Sequence, residues 1–229
     1  MKKLPILLAG LTMLGSAHAT VYQFDFTAKI QEMVEFSPLA FTGGAVASST
    51  LSGSLVSVGD NIIGHFSYDT ETGLFSSAGG SAMYAAPAAQ NSLDASIGGN
   101  SIGLSDATYS STNVQVANNA AMLGGADGFG IANVSANAFA SQMMALSFFD
   151  KSGQVFNAST MPGELDFSGF NRSSFYYTYS STATHAMMGA NGSLTSITVT
   201  EVPVPVPEPE TYAMLLAGLM ALGWKARRR

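Results

Sequence analysis

From residue 21 onward the chain alternates apolar and polar positions over long stretches. Residues 21–30 place Tyr22, Phe24, Phe26, Ala28 and Ile30 on one face and Gln23, Asp25, Thr27 and Lys29 on the other, the period-2 pattern of a strand buried on one side. The same reading predicts strands at 51–58, 61–69, 92–97, 102–104, 108–116, 130–136, 143–149, 175–180 and 193–201. Gly59-Asp60 is expected to turn the chain between the second and third, residues 69–73 to end the third, and Asn191-Gly192 to precede the last. No segment in this middle region carries a capped helix of several turns; 82–89 and 117–122 are rich in alanine but interrupted or short. Ten strands separated by Gly, Ser and Asn turns predict an all-β domain, two packed antiparallel sheets in a β-sandwich or jelly-roll-like arrangement spanning residues 20–200.

The two ends follow other rules. Met1-Lys2-Lys3 is basic, residues 4–14 are mostly apolar, and Ala17-His18-Ala19 supplies small residues at the cleavage positions. That order predicts a secretory signal peptide over 1–19, cut after Ala19. At the other end Pro203, Pro205, Pro207 and Pro209 alternate with other residues. Proline holds φ and donates no backbone hydrogen bond, so 201–210 reads as a semi-rigid linker. A helical apolar run follows, with Ala213, Leu215, Leu216, Leu219, Leu222 and Trp224 as its membrane-facing members and Lys225, Arg227, Arg228 and Arg229 as a basic stop. Its twelve residues, 213–224, would span about 18 Å as a helix against a hydrocarbon core of about 30 Å. Such a short span suits a segment that holds the chain at the inner membrane until it is processed, with the domain outside and the tail in the cytoplasm.

Pro207-Glu208-Pro209, the short apolar helix and the terminal arginines together resemble the PEP-CTERM sorting signal of Gram-negative bacteria that make exopolysaccharide. The resemblance covers residues 207–229. It implies export by the secretion machinery, recognition of Pro207, Glu208 and Pro209 by an exosortase, and cleavage near that element. It implies nothing about the activity of the domain. The Gly59-Asp60 turn with Gly64-His65-Phe66-Ser67-Tyr68-Asp69, and the closing Gly192-Ser193-Leu194 strand, are also similar to ectodomains often found ahead of this tail.

Composition narrows the function classes. The 229 residues are 47% hydrophobic and 10% charged, with no Cys and a net charge of −6. The isoelectric point near 4.8 excludes nucleic acid as a partner, because an acidic surface repels phosphate. High apolar content with few charges excludes disorder. Without Cys there are no disulfides, no thiolate nucleophile and no thiolate metal site. Between residues 20 and 200 only Lys29, Lys151 and Arg172 stand against twelve acids, a net of −9.

Candidate chemistry is sparse. His65 and His185 are the two histidines left after signal removal; they form no paired ligand motif, and His65 in its strand is expected to be structural. There is no Gly-x-Ser-x-Gly elbow, and Gly53-Ser54 and Gly192-Ser193 are read as strand starts. Asp25, Asp69, Glu71, Asp127, Asp150, Glu164 and Asp166 could in principle pair for glycoside hydrolysis, but the single tryptophan, Trp224, lies in the tail. Calcium ligands could come from Asp60-Asn61, from Asp69 with Glu71, or from the turn at Asp127, none of which makes a recognised loop. Gly79-Gly80, Gly98-Gly99 and Gly124-Gly125 are expected to be turns, not phosphate loops. Four Asn-x-Ser matches, at Asn133, Asn157, Asn171 and Asn191, are expected by chance in so Asn- and Ser-rich a chain. Phe175, Tyr177 and Tyr179 are expected to pack into the core.

The reading is a non-enzymatic exported protein without cofactor or metal, a structural or adhesive component of the cell surface or exopolysaccharide matrix. Its expected partners are the secretion machinery, an exosortase, the inner membrane through the C-terminal helix, and exopolysaccharide. Two alternatives stay open: a carbohydrate-binding, calcium-dependent module or weak glycoside hydrolase, and a permanently membrane-anchored periplasmic protein.

Overall fold

A computed structural model describes residues 21–38, 42–85, 91–163 and 165–201. The expected signal peptide over 1–19 and the segment from 202 to 229 lie outside the described residues. Fourteen strands are present among the described residues: β1 (Val21–Ser37), β2 (Thr42–Ala45), β3 (Ser48–Ser49), β4 (Val56–Ser57), β5 (Asn61–Asp69), β6 (Leu74–Ala78), β7 (Ser81–Tyr84), β8 (Ser92–Ile97), β9 (Asn100–Ile102), β10 (Tyr109–Ala120), β11 (Ala126–Ala136), β12 (Ala140–Asp150), β13 (Arg172–Ser181) and β14 (Met187–Glu201). The only helical pieces among them are two 3-10 turns, Ala121–Leu123 and Phe167–Gly169.

Twelve strands form one antiparallel sheet in the order β6-β7-β10-β11-β12-β13-β14-β1-β5-β8-β9, with β2 added to β1, and β3 pairs β4 apart from it. The expected sandwich is therefore built from two halves of a single continuous sheet. The halves part where β13 and β14 pair only from Phe175 to Ser180, leaving the first residues of β13 and the last nine of β14 to different neighbours. Register shifts at Thr27/Ala28 and Ile30/Glu32 of β1 against β14 are bulges, which bend a strand and raise its twist. They let the sheet fold over.

The inner faces meet through aromatic rings. Tyr68 of β5 lies 5.4 Å from Phe129 of β11, and Phe26 of β1 lies 6.1 Å from Phe175 of β13. Into the open wedge beside β13 the 3-10 turn inserts Phe167, 5.3 Å from Phe24 and 4.7 Å from Phe148. The side chains of Phe24, Phe26, Phe66, Phe129, Phe148 and Phe175 are almost wholly removed from water, each stabilising the fold by about 1.5–3 kcal/mol. The alternation read at residues 21–30 holds: Phe24, Phe26, Ala28 and Ile30 are buried, and Tyr22 packs at the margin. Phe175 and Tyr177 are buried and Tyr179 packs against the core.

Several expectations need correction. Residues 51–58 are not one strand: Gly53 has φ +89, its N–H bonds to Thr50 O at 3.0 Å, and only Val56–Ser57 pairs, with β3. Ser54 therefore lies in a turn. Asn191-Gly192 is strand interior, where Gly192 faces β1 so closely that a Cβ would meet Lys29 O at 2.8 Å. The β6–β7 hairpin was not expected as strands, although its Gly79-Gly80 turn was; φ of +56 and +84 fits a tight hairpin turn that glycine adopts freely. Gly98-Gly99 repeats that geometry.

Candidate functional site

The outer face of β14, β1, β5 and β8 carries a groove. Antiparallel register brings polar residues from distant parts of the chain into rows. One row runs Thr198, Asp25, His65, Asp94. The next runs Ser196, Thr27, Ile63, Ser96, and on the other side Thr200, Gln23, Ser67 and Ser92 continue the pattern. Each arises because the inward partners Phe24, Phe26, Phe66 and Leu93 are buried, and alternation then turns the neighbouring side chains outward.

Across the first two rows lies a cavity of about 530 Å³, walled by Ser101 of β9 on one side and by Ser196 and Thr198 on the other. That volume falls within the range of small-ligand clefts. Thr27 Oγ1 is 2.6 Å from Ser196 Oγ and 2.6 Å from Thr195 Oγ1, Ser67 Oγ is 2.9 Å from Ser92 Oγ, and Ser96 Oγ donates to Ile63 O at 3.3 Å. His65 Nε2 stands 3.5 Å from Asp94 Oδ2, both side chains nearly two-thirds exposed at 63% and 64%. So exposed a pair contributes little to stability. Its groups remain available to a ligand. His65, expected to be a structural histidine at or near the surface, stands exposed in the groove.

Several of the other acids brace the fold. Asp127 and Asp150 are cross-strand partners on β11 and β12, and both are buried. Asp127 accepts the N–H groups of Asn119 at 2.8 Å and Phe156 at 2.7 Å. Asp150 accepts from Ser152 Oγ at 2.5 Å, from the Ser152 and Gln154 N–H groups, and from Asn171 Nδ2 at 3.0 Å. The Ser152 hydroxyl, then the backbone donors, hold the Asp150 carboxyl below the usual range. Asp166 is held low in the same way by the Ser168 hydroxyl and N–H. Burial pushes the Tyr177 phenol up to about 12. Asp60 accepts from Ser57 N–H at 2.8 Å and Asp69 from Glu71 N–H at 2.9 Å, so two of the three places considered for calcium brace turns, and the third, Asp127, ties distant backbone segments together. No cluster of three or more His, Asp or Glu suited to a metal occurs among the described residues. His185 sits in the β13–β14 loop with φ +53, exposed and away from the groove. Glu164 lies outside the described residues.

The sorting residues Pro207, Glu208 and Pro209, the segment Ala213, Leu215, Leu216, Leu219, Leu222 and Trp224, the basic stop Lys225, Arg227, Arg228 and Arg229, and Ala17 and Ala19 all lie outside the described residues. Among the described residues no helix is long and apolar enough to cross a membrane. The Asp25–His65–Asp94 row was not foreseen. Its sequence signal was only that each member occupies the polar phase of its own strand.

No curated protein and no solved structure matches the chain. Residues 205–229 match the family model described as the PEP-CTERM protein-sorting motif, four residues beyond the last residue of β14. The chain is thus an all-β exported protein that carries, directly after its closing strand, a PEP-CTERM signal for sorting by exosortase.

Proposed function

We propose that the protein is a non-enzymatic, adhesive component of the cell surface or exopolysaccharide matrix, delivered by its C-terminal signal and attached to polysaccharide through the groove on the outer face of β14, β1, β5 and β8. The observation that carries the reading is the presence in one chain of a sorting motif at 205–229 and a hydroxyl- and carboxylate-lined groove open to water. Adhesion to a polymer needs many modest hydrogen bonds spread along a surface. Rows of Ser and Thr supply them. A glycoside hydrolase would instead draw on a carboxylic acid shielded from water, whereas Asp94 in the groove is 64% exposed and the buried acids Asp127 and Asp150 are occupied by backbone donors.

Intact mass of the protein from a sorting-competent host and from the same host lacking its exosortase tests delivery. Loss of the residues after about Pro207 only when the enzyme is present, as the short span of the segment would allow, supports it; retention through Arg229 in both hosts leaves a membrane-anchored domain. Attachment is tested by co-sedimentation with the host's own polysaccharide. A His65→Ala, Thr198→Ala double variant should release the protein into the soluble fraction, and undiminished sedimentation would refute the groove as the contact.

A further inference from the structure

We infer that the polysaccharide taken by this groove bears free amino groups. The inference rests on the adhesive reading above and deepens it. Asp25 and Asp94 lie in one cross-strand row with His65 between them, about 10 Å apart at two strand spacings. Among the described residues no Lys or Arg lines the groove. The nearest base along β1 is Lys29, which belongs to a separate row with Asn61 and Ser193.

A carboxylate only accepts hydrogen bonds. Asp25 and Asp94 are exposed, and a ligand that takes them out of water must bring donors of its own. An ammonium group does so with charge assistance, roughly twice as strong as a neutral hydroxyl. Thr27, Ser196 and Thr198 alongside them can donate to or accept from ring hydroxyls. A polyuronate would set carboxylate against carboxylate inside a domain already at −9, which repels it both locally and at long range. A neutral glycan would use the hydroxyl rows and bring no charge to Asp25 or to Asp94, whose ion-pair partner among the described residues is His65 at 3.5 Å.

Calorimetric titration of the mature protein with three soluble oligosaccharides separates these cases: a glucosamine oligomer, its fully N-acetylated counterpart, and an oligouronate. The glucosamine oligomer should bind about tenfold or more tightly than the acetylated one, weakening as salt rises, and the oligouronate should not bind. Asp25→Asn with Asp94→Asn should erase the preference. Glu71→Gln with Asp106→Asn removes the same charge from exposed sites elsewhere and should preserve it. Equal affinity for the amino and acetylated oligomers, tighter binding of the oligouronate, or equal loss in the two double variants would overturn the inference while leaving the groove a polysaccharide site. Failure of all three to bind would overturn the adhesive reading itself.

Discussion

The ring of Phe26 on β1 lies across the Cα of its cross-strand partner Gly64 on β5, its Cζ and Cε1 atoms 2.5 and 2.7 Å from where a Cβ would stand. Asp94 O approaches the same point from β8 at 2.5 Å. Glycine here makes room for an aromatic ring to cover an otherwise bare stretch of sheet, and this contact sits on the inner side of the groove floor. Gly64→Ala should therefore destabilise the domain by about 1–3 kcal/mol or more, the cost of overpacking against backbone. Gly44→Ala, where a Cβ meets nothing within 4 Å, should stay within about 0.5 kcal/mol. Urea unfolding of the two variants checks the pair.

Phe148 joins the β12 side of the core to the 3-10 turn, touching Phe129, Phe167 and Phe170. Phe148→Ala should cost about 3–5 kcal/mol, as for a large aromatic removed from a well-packed interior. Thermal unfolding would show a lowered midpoint. A change below about 1 kcal/mol, typical of surface positions, would mean that the wedge is not tightly filled.

Acid should loosen the loop that crosses β11 and β12. The folded pKa of Asp150 is depressed, so its contribution to stability is complete above the unfolded value of about 3.9 and is lost as pH falls through the lower folded value. Asp166, also depressed, acts in the same direction. Asp150→Asn should be less stable than the parent at neutral pH, and the gap should narrow below about pH 4. Melting temperatures across that range would show it. A gap independent of pH would remove the carboxylate from the account.

The domain should end at Glu201. Val199, Ile197 and Leu194 pair with Phe24, Phe26 and Ala28, so a chain stopped after Ala190 strips β1 of those neighbours and leaves its most aromatic stretch without one side of its ladder. An exported chain ending at Glu201 should unfold at the same temperature as the protein processed by the host. One ending at Ala190 should show no cooperative transition by circular dichroism.

What could be read from sequence was whatever one strand or one linear motif contains. The β1 alternation was plain because large aromatics and charged or polar residues take strict turns, and the sorting motif because its parts are contiguous. The β6–β7 hairpin was hidden: Leu74 and Phe75 are exposed at 58% and 72%, so no apolar face marks β6. Leu51, Leu55 and Val58 imitated a strand, but the positive φ of Gly53 breaks it. Asn191-Gly192 looked like a turn because those residues favour turns, whereas its glycine answers a close approach of β1. The groove was illegible for a further reason. Asp25, His65 and Asp94 share a row through pairing register across three strands, and residues spaced so far apart carry no local signature of it.

The pairing of β14 with β1 has a consequence for the order of events during export. β14 is the last strand to be made, yet it joins the two halves of the sheet, and until it arrives the β6–β13 side and the β1–β9 side have no ladder between them. Contacts between chain ends carry a high loop-closure cost and form late. An exported domain can therefore complete its fold only when the residues just ahead of the sorting motif have crossed the membrane. The last ladder of the domain thus closes on residues that stand next to the sorting motif in sequence.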